Sequence, residues 1–211
     1  MTKALNHMPA TMPVDADDSL ASPLDNSWAH VSGWGFRTGR RRTVSCVIPC
    51  RNQGPQLDAL LPLLSDLLTE GGYPWELIAL DCASADNTTH VLTDWSRVAG
   101  VRWKQLPAAA NMALQFATGL SLARGDAVIF IDPTLPHPAS LIPSMLLQWE
   151  AEAKLVYAVR SEATGVSLLM HWNANTLQAH HEGRPAFSLP PGVIALSLMD
   201  RTLVDLLRWR R

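Results

Sequence analysis

The sequence predicts an α/β protein with a mostly parallel sheet and helices on both of its faces. Short runs rich in valine and isoleucine alternate with longer runs whose leucines recur at helical spacing, and this alternation is typical of right-handed βαβ units. The chain has 211 residues, of which 47% are hydrophobic and 17% charged, so it can bury one sizeable core. A single domain over residues 43–211 is therefore expected, after a leader over residues 1–42.

The first two strand–helix pairs follow from the residue pattern. The run "TVSCVIP" predicts a strand stopped by Pro49, and "GPQLDALLPLLSDLLTEGG" predicts a helix that ends at its paired glycines. The run "WELIALDCAS" predicts a second strand that ends at Asp81. After it, "SADNTTHVLTDWSRVAG" predicts a helix capped by Ser84 or Asp86 and closed by Gly100.

Two further strands and two further helices follow in the same order. The run "VRWKQL" predicts the third strand, and "AANMALQFATGLSLARG" predicts a helix that ends at Gly125. The fourth strand is "DAVIFID", and a proline-rich turn separates it from the helix "ASLIPSMLLQWEAEA". Because ligands of such sheets bind beyond the carboxyl ends of the strands, the residues that follow each strand are the candidates for a site.

Polar side chains follow three of these strands, and we expect them to converge on one crevice. They are Arg51, Asn52, Gln53, Asp81, Ser84, Asp132 and Thr134. A carboxylate just past a strand can accept an N–H of a nucleobase, and one in a turn can hold Mg²⁺ or Mn²⁺ against a diphosphate. Asp81 and Asp132 therefore suggest a nucleotide-sugar site, and the alternative is that both only cap the helices that follow.

Several other functions lack their sequence signals. The loop "PCRNQGPQ" has neither the dinucleotide fingerprint nor the Lys and Ser/Thr of a P-loop, and no G-x-S-x-G elbow is present. The seven histidines lack zinc-ligand spacing, and His171, His180 and His181 are expected to be exposed in a polar stretch. A net charge of −2 gives no reason to expect nucleic acid as a partner.

The cysteines and the leader bear on where the protein works. The chain has an odd number of cysteines, Cys46, Cys50 and Cys82, and they lack metal-ligand spacing. This pattern predicts that they are small buried hydrophobic residues, and it fits a reducing cytoplasm. The leader is expected to be mobile, and its basic end "RTGRRR" either contacts anionic lipid or a phosphate or is a solvated linker. Since no window reaches the roughly 18 apolar residues of a membrane span, membrane contact is expected to be peripheral at most.

Five segments together resemble the family 2 glycosyltransferases of the GT-A fold. In order they are "VSCVIPCRNQ", "ELIALDCASADNT", "ALQFATGLSLARGDAVIFIDPTLPHPASLIPSMLLQW", "VYAVR" and "PPGVIALSLMDRTLVDLL". Within that family they are most similar to the polyprenyl-phosphate sugar transferases of the dolichyl-phosphate mannose synthase type. The resemblance runs from about Val44 to Leu207.

The resemblance implies a hexosyltransferase that passes a sugar from UDP or GDP to a polyprenyl phosphate or a glycan. The residues that it places against the nucleotide sugar are Pro49, Arg51, Asn52, Gln53, Asp81, Ser84 and Asp132. Asp132 is the best catalytic candidate and, with Thr134 as a weaker second ligand, would hold Mg²⁺ or Mn²⁺. Because a phosphate acceptor is already an anion, it needs little help from a general base.

The departures from the family pattern each remove a charge or a polar group from the crevice. They are Gln53 for Glu, Cys82 and Ala83 for Asp-Gly, Thr134 and Pro136 for Asp and Gln, and Ala195, Leu196 and Ser197 for Asp-Phe-Arg. The loop "LPAAAN" also lacks the usual Lys, and Asp132 is left as the charged ligand. Either the crevice suits another donor, or the chain is a weak or inactive homologue that acts as a binding or regulatory partner of another protein.

The end of the chain raises a second alternative. The sequence stops at "LLRWRR", without the C-terminal helices that usually place the acceptor lipid in this family. Arg208, Arg210 and Arg211 either help to dock the chain on anionic lipid or form a plain basic end.

Overall fold

The computed structural model describes residues 41–136, 138–160, 167–172 and 195–208. Within them one sheet has the strand order β3-β2-β1-β4-β7-β5-β6. Its strands are β1 (Val44–Cys50), β2 (Trp75–Asp81), β3 (Val101–Gln105), β4 (Ala127–Ile131), β5 (Leu155–Arg160), β6 (Ser167–Trp172) and β7 (Leu196–Asp200). The helices are α1 (Gly54–Glu70), α2 (Thr88–Trp95), α3 (Met112–Leu122), α4 (Ile142–Glu150, after a 3-10 turn Pro138–Leu141) and α5 (Arg201–Arg208).

The predicted α/β architecture is confirmed, with one addition. The first four strands are parallel, and β1 lies between β2 and β4. β7 runs antiparallel to β4 and to β5, and β6 runs antiparallel to β5. The three antiparallel strands extend the sheet beyond the β-α repeats, and the residue pattern did not reveal them. The parallel strands place their carboxyl ends at one edge, and we call the opposite edge the rear edge of the sheet.

Both faces of the sheet are covered by apolar residues. Val47, Ile78 and Phe130 belong to a buried cluster that α3 and α5 complete with residues such as Leu120 and Leu203. Side chains alternate along a strand, so Cys46, Ile48 and Leu77 face the other side, where α1 and α4 present their buried stripes. The helices therefore hold the strand ends in fixed positions from both faces.

One glycine sets the distance between α3 and the sheet. A Cβ atom at Gly119 would lie 2.4 Å from Val47 Cγ1 and 2.7 Å from Phe130 Cζ. Both distances are far shorter than the van der Waals contact distance between non-bonded carbon atoms. Gly119 therefore allows α3 to pack directly on β1 and β4.

Pro49 does not stop the first strand. It lies inside β1, buried and paired with Leu80 of β2. The pairing of β1 with β4 runs only from Val44 to Val47, so one side of β1 needs no backbone donor beyond that point. A proline is tolerated there because its missing N–H breaks no ladder on that side.

The predicted ends of two helices were also wrong. Of the two predicted caps of α2, Asp86 accepts the N–H of Thr88, the first residue of the helix, although the N-cap position itself is Asn87; Ser84 does not cap the helix. The reason is that Ser84 is engaged with the end of β2, as described below. The helix ends at Trp95, well before Gly100. The helix α3 ends at Leu122 rather than at Gly125, because the following residues turn back towards β4.

The three cysteines are buried and free, as the sequence predicted. Burial, with the nearby charge of Glu76, raises the pKa of the Cys46 thiol to about 12. Burial first, and then the charge of Asp81, raises that of Cys50 to about 12 as well. These thiols are therefore protonated and unreactive near neutral pH.

Arg42, the last residue of the predicted leader, contacts the domain. Its guanidinium carbon lies 4.9 Å from the centre of a Trp149 ring, and its Nη2 lies 3.4 Å from Glu152 Oε1. In the described part of the chain, no helix combines the length and the hydropathy that crossing a bilayer requires. The predictions for residues 1–40, His180, His181, Arg210 and Arg211 fall outside the described residues.

Candidate functional site

The loops that follow β1 and β2 are hydrogen-bonded to each other. The backbone N–H of Asn52 donates to Ser84 Oγ at 2.8 Å. In return, Asn52 Oδ1 accepts the backbone N–H of Ala85 at 2.7 Å. The two loops follow the paired residues Cys50 and Asp81, so the sequence was right to place them beside each other.

The start of α1 is held by the residues just before and within α2. The N–H of Gln53 donates to the buried Thr88 Oγ1 at 2.8 Å, and the N–H of Gly54 donates to Asp86 Oδ2 at 3.3 Å. Asp86 Oδ1 also accepts the N–H of Thr88 at 3.0 Å. Hydrogen bonds from the side chain and the backbone of Thr88 lower the pKa of Asp86. Asp86 is therefore a carboxylate that orders this turn.

Sequence reasoning assigned no such role to Thr88 and considered Asp86 only as a cap. A signal for both was present, because the segment "SADNT" matches the S-x-D-x-T of the family motif. A position kept in that pattern, when the residues around it have changed, indicates that the loop geometry needs it.

Asp81 lies at the centre of the same network. Its carboxylate is 0% exposed and accepts the N–H and the hydroxyl of Ser84, at 3.1 and 2.5 Å. The hydroxyl of Thr89 donates to its second oxygen at 3.3 Å. A carboxylate has about four acceptor positions, so roughly one remains. In this conformation Asp81 orders the turn, and a nucleobase can reach it only after the surrounding loop moves.

Two residues of the loops have a left-handed backbone. Asn52 and Ala83 both have φ of 54°. Asparagine tolerates this conformation, whereas an alanine Cβ collides with the neighbouring backbone at a cost of about 1 kcal/mol. Ala83 stands where the resembling family motif has glycine, so the departure adds strain to the loop.

Replacing Ala83 by glycine is expected to raise the free energy of unfolding by up to about 0.5 kcal/mol. Relief of the left-handed strain exceeds the extra entropy that glycine gives the unfolded chain. Urea denaturation measures the change. The matched control is Ala85→Gly, which has no positive φ and should lose stability. Equal losses in both variants would contradict the strain.

Asp132 closes a separate turn after β4. Its Oδ1 accepts the N–H and the hydroxyl of Thr134, at 2.8 and 2.7 Å. Its own N–H donates to the carbonyl of Ala195 at 2.7 Å, which joins the turn to the start of β7. Asp132 is partly exposed and Thr134 is exposed. The sequence did not indicate the contact with Ala195, because the two residues are far apart along the chain.

The turn at Asp132 lies at the same sheet edge as the two loops. The last paired residues of β1 and β4 are Val47 and Phe130. Asp132 lies two residues beyond Phe130, and Cys50 lies three residues beyond Val47, so both strands end at about the same level of the sheet. Arg51 is exposed beside Asn52, and Gln53 is partly buried. The strand ends thus bring the predicted residues to one edge, while no hydrogen bond among the described residues links Asp132 to the loops.

The donor set at this edge fits only a sparsely ligated divalent ion. Among the described residues no three His, Cys, Asp or Glu side chains form a metal-holding group. In that part of the chain, Asp132 Oδ2 accepts no hydrogen bond, and the hydroxyl of Thr134 keeps its lone pairs. Mg²⁺ often takes one or two carboxylates and completes its shell with substrate phosphates and waters. Such an ion fits here, and one held by protein ligands alone does not.

The sequence comparisons point to one family. The model of glycosyl transferase family 2 matches residues 45–205. An uncharacterized glycosyltransferase of Synechocystis is 26% identical over 166 residues, which are 78% of this chain and 52% of that protein. The undecaprenyl-phosphate 4-deoxy-4-formamido-L-arabinose transferase of Pseudomonas fluorescens is 26% identical over 164 residues, covering 77% of this chain and 48% of that protein. The chain thus spans about half the length of these relatives.

Solved structures show the same fold. The mannosyltransferase PcManGT of Pyrobaculum calidifontis, solved with GDP-Man and Mn²⁺, superposes with a TM-score of 0.52 at 21% identity, over 79% of this chain and 47% of that one. Glucosyl-3-phosphoglycerate synthase of Mycobacterium tuberculosis, solved with UDP, gives 0.51 at 22% identity, over 77% and 58%. The family model covers most of this chain, and the strand ends carry the motifs described above. The chain therefore belongs to glycosyl transferase family 2.

Proposed function

We propose that the chain binds a nucleotide diphosphate sugar at the carboxyl edge of its parallel strands and transfers the sugar. The observation that carries this proposal is the hydrogen-bonded pair of loops after β1 and β2, with the Asp132 turn at the same edge. Nucleotide ligands of open α/β sheets bind at this edge. Relatives named as glycosyltransferases support the choice of donor.

In this proposal the two loops bind the nucleoside. Arg51 and Asn52 are exposed at the end of β1, and Ser84 is held beside them by Asp81. Asp81 is the residue that positions the loop, with a direct contact to the base only if the loop opens. The exposed guanidinium of Arg51 supplies a planar donor that can stack on a base or pair with a phosphate.

Asp132 faces the diphosphate and uses Oδ2 to hold a divalent ion, Mg²⁺ or Mn²⁺. A bound ion would neutralise the negative charge that develops on the leaving diphosphate. Thr134 fixes the orientation of the Asp132 carboxylate through its two hydrogen bonds and offers its hydroxyl as a weaker ligand. The structurally similar mannosyltransferase PcManGT was solved with GDP-Man and Mn²⁺, which supports this assignment.

The proposed acceptor is a polyprenyl phosphate, with a glycan as the other candidate. An oxygen of the acceptor attacks the anomeric carbon in line, the bond from that carbon to the diphosphate breaks, and its electron pair leaves with the nucleoside diphosphate. A lipid phosphate attacks as an anion and needs no base to remove a proton. The named activity of the Pseudomonas fluorescens relative supports this acceptor. If the acceptor is a polyprenyl phosphate, the reaction would occur at the cytoplasmic face of a membrane, and the chain would contact that membrane only peripherally.

Two observations favour a second candidate, a weak or inactive homologue that binds a protein partner. Asp81 is buried under its own loop. In the Asp132–Thr134 turn, threonine replaces the second aspartate of the family pattern, so Asp132 supplies the carboxylate of this turn. The stabilisation of the leaving group, commonly a large part of catalysis, would then be reduced. Donor binding without turnover is the result that distinguishes this candidate.

Thermal unfolding with UDP, GDP and their sugar conjugates, with and without Mn²⁺, tests the proposal. We expect at least one of them to raise Tm by about 3 °C, equivalent to about 1 kcal/mol, and Mn²⁺ to increase the shift. Asp132→Ala should lose the part that depends on Mn²⁺. The control Asp58→Ala, at an exposed position of α1, should keep it. No shift with any nucleotide, or an unchanged Mn²⁺ response in Asp132→Ala, would overturn the proposal.

A further inference from the structure

We propose that a pocket of four arginines at the rear edge of the sheet binds a phosphate group. The pocket has a volume of about 410 Å³, and its arginines are Arg102, Arg124, Arg201 and Arg208. We call it the arginine pocket. Its volume lies within the range of small-molecule sites.

The arginine pocket is separate from the candidate donor site. Arg102 is the second residue of β3, and Arg124 precedes β4. Arg201 and Arg208 begin and end α5, which follows β7; this strand runs antiparallel to β4, so that Asp200 pairs with Ala127. All four positions are thus at the amino end of the parallel strands, whereas the loops at Asn52 and Ser84 are at the carboxyl end. The inference does not rest on the proposed function.

The last turn of α3 holds three of the guanidinium groups in place. Arg201 Nε donates to the carbonyl of Gly125 at 2.8 Å, and its Nη2 donates to that of Ala123 at 3.2 Å. Arg208 Nη2 donates to the carbonyls of Leu120 and Ala123. The bonds to Leu120 and Ala123 satisfy carbonyls that α3 leaves without partners at its end. They also fix the two arginines before any ligand arrives, which lowers the entropy cost of binding.

Arg102 is fixed in the same way. Its Nη2 donates to the carbonyl of Leu122 and to Glu76 Oε2, both at 2.7 Å. The side chain is 37% exposed, so part of the guanidinium still faces solvent. It therefore combines a fixed position with access for a ligand.

The positive charges outnumber the negative ones. Glu76 lies 2.7 Å from Arg102, and Asp205 lies 3.9 and 3.8 Å from Arg201 and Arg208. Even when Asp126 is counted as well, four guanidinium groups face three carboxylates. Burial first, and then the like charge of Arg208, lowers the pKa of Arg201. An anion in the pocket would relieve this repulsion.

Capping of α3 does not account for all the donors. Arg208 Nε is buried and has no hydrogen-bond partner among the described residues. A buried N–H without an acceptor destabilises the fold by about 1 to 3 kcal/mol. Arg124 is exposed, and its guanidinium makes no hydrogen bond or ion pair within the described ranges. The exposed guanidinium of Arg124 is available to a ligand as it stands, whereas the buried Nε of Arg208 can meet one only after its side chain shifts. Guanidinium forks match the oxygens of a phosphate.

Calorimetric titration of the full chain with inorganic phosphate tests the pocket. We expect saturable binding that Arg124→Gln weakens about tenfold, the loss of one charge-assisted hydrogen bond. Arg208→Lys, which keeps the charge but loses the guanidinium held on the carbonyls of Leu120 and Ala123, should also weaken it. The control Arg97→Gln removes an equal charge at a side chain that is 80% exposed after α2, and it should bind as the wild type does.

Asp132→Ala separates this pocket from the candidate donor site. It should leave phosphate binding unchanged, whatever its effect on nucleotides. Phosphate binding lost in Asp132→Ala, unchanged in Arg124→Gln, or absent from the wild-type chain would overturn the inference. Because Arg124 is exposed and caps no helix, its variant is expected to fold, and a thermal scan without phosphate verifies this.

Vesicles distinguish the two sources of a phosphate group. A lipid headgroup is indicated if the chain sediments with phosphatidylcholine vesicles that contain phosphatidylglycerol, and if Arg124→Gln reduces this while Arg97→Gln does not. A free phosphate compound is indicated if only the titration responds to Arg124→Gln. Either result supports the pocket only together with the Arg124 dependence of the phosphate titration, and a titration that does not depend on Arg124 contradicts it whatever the vesicles show.

Discussion

Replacing Glu76 by alanine is expected to lower the free energy of unfolding by about 3 kcal/mol. Its Oε1 accepts the hydroxyl of the buried Ser45 and the N–H of Arg124, both at 2.6 Å, and its Oε2 accepts from Arg102 at 2.7 Å. Hydrogen bonds to a charged group contribute about 1.5 to 3 kcal/mol each, and the partial exposure of Arg102 reduces its share. The loss also leaves Ser45 without this acceptor.

The pH dependence gives this prediction a second measurement. Burial raises the pKa of Glu76, but the hydrogen bonds from Ser45, Arg124 and Arg102 outweigh it and lower the pKa below the ordinary 4.5. A carboxyl with a lowered pKa in the folded state contributes stability that is present above the unfolded pKa. That contribution is lost as the pH falls through the folded pKa. Wild type and Glu76→Gln should therefore differ most near pH 7, and the difference should begin to shrink at the unfolded pKa of about 4.3 and keep shrinking as the pH falls through the lower folded pKa.

Urea denaturation of wild type, Glu76→Ala and Glu76→Gln between pH 7 and pH 3 measures both effects. Glu76→Gln keeps the shape and one acceptor oxygen, so it should lose about half as much stability as Glu76→Ala. Glu70, the last residue of α1, is exposed and makes no side-chain hydrogen bond or ion pair within the described residues; Glu70→Gln controls for the loss of one negative charge. A gap between wild type and Glu76→Gln that stays constant across this range would contradict the role of the ionised carboxylate.

The sequence predicted the elements whose formation depends on interactions between residues close together along the chain. The four parallel strands and four of the helices follow from β-branched runs, leucine spacing and glycines, and the polar residues that follow the strands reach one sheet edge because parallel strands end there. The motifs also indicated the loop at Asp81. No long-range contact was needed for any of these predictions.

The role of Glu76 could not be predicted in this way. In "WELIALD" it is one polar residue at the start of a strand. Its partners, Ser45, Arg102 and Arg124, come from three other segments, and only the strand order β3-β2-β1-β4 brings them together. Ser84 fails to cap α2 for the same reason, because it bonds Asp81 and Asn52 instead of the helix. Tertiary contacts decided these residues, and periodicity carries no information about them.

Each end of β2 carries a carboxylate that holds residues of other segments in place. A carboxylate near each end, Glu76 at the rear edge and Asp81 at the carboxyl edge, accepts hydrogen bonds from residues outside the strand. At the rear edge the carboxylate fixes Arg102 of the arginine pocket. At the carboxyl edge it fixes Ser84 and, through it, Asn52 of the candidate donor site. Strand β2 thus positions both proposed sites.

Replacing Asp81 by alanine is expected to lower the free energy of unfolding by about 2 to 3 kcal/mol. The variant leaves the N–H and the hydroxyl of Ser84 and the hydroxyl of Thr89 without the acceptor that they have inside the protein. Asp81→Asn keeps the volume and one acceptor oxygen, so a loss of about 1 kcal/mol is expected. Urea denaturation at pH 7 measures both variants.

A double-mutant cycle with Ser84→Ala shows whether this loss comes from the loop network. If Asp81 acts through Ser84, the double variant should be less destabilised than the sum of the single ones, by about 1 to 2 kcal/mol. The control Ser121→Ala removes an exposed hydroxyl of α3 that donates to the carbonyl of Thr118, and its effect should add to that of Asp81→Ala. Additive effects of Asp81→Ala and Ser84→Ala would mean that Asp81 does not hold the loop. In that case its buried carboxylate would have to act on a ligand directly, and the site would have to open for it.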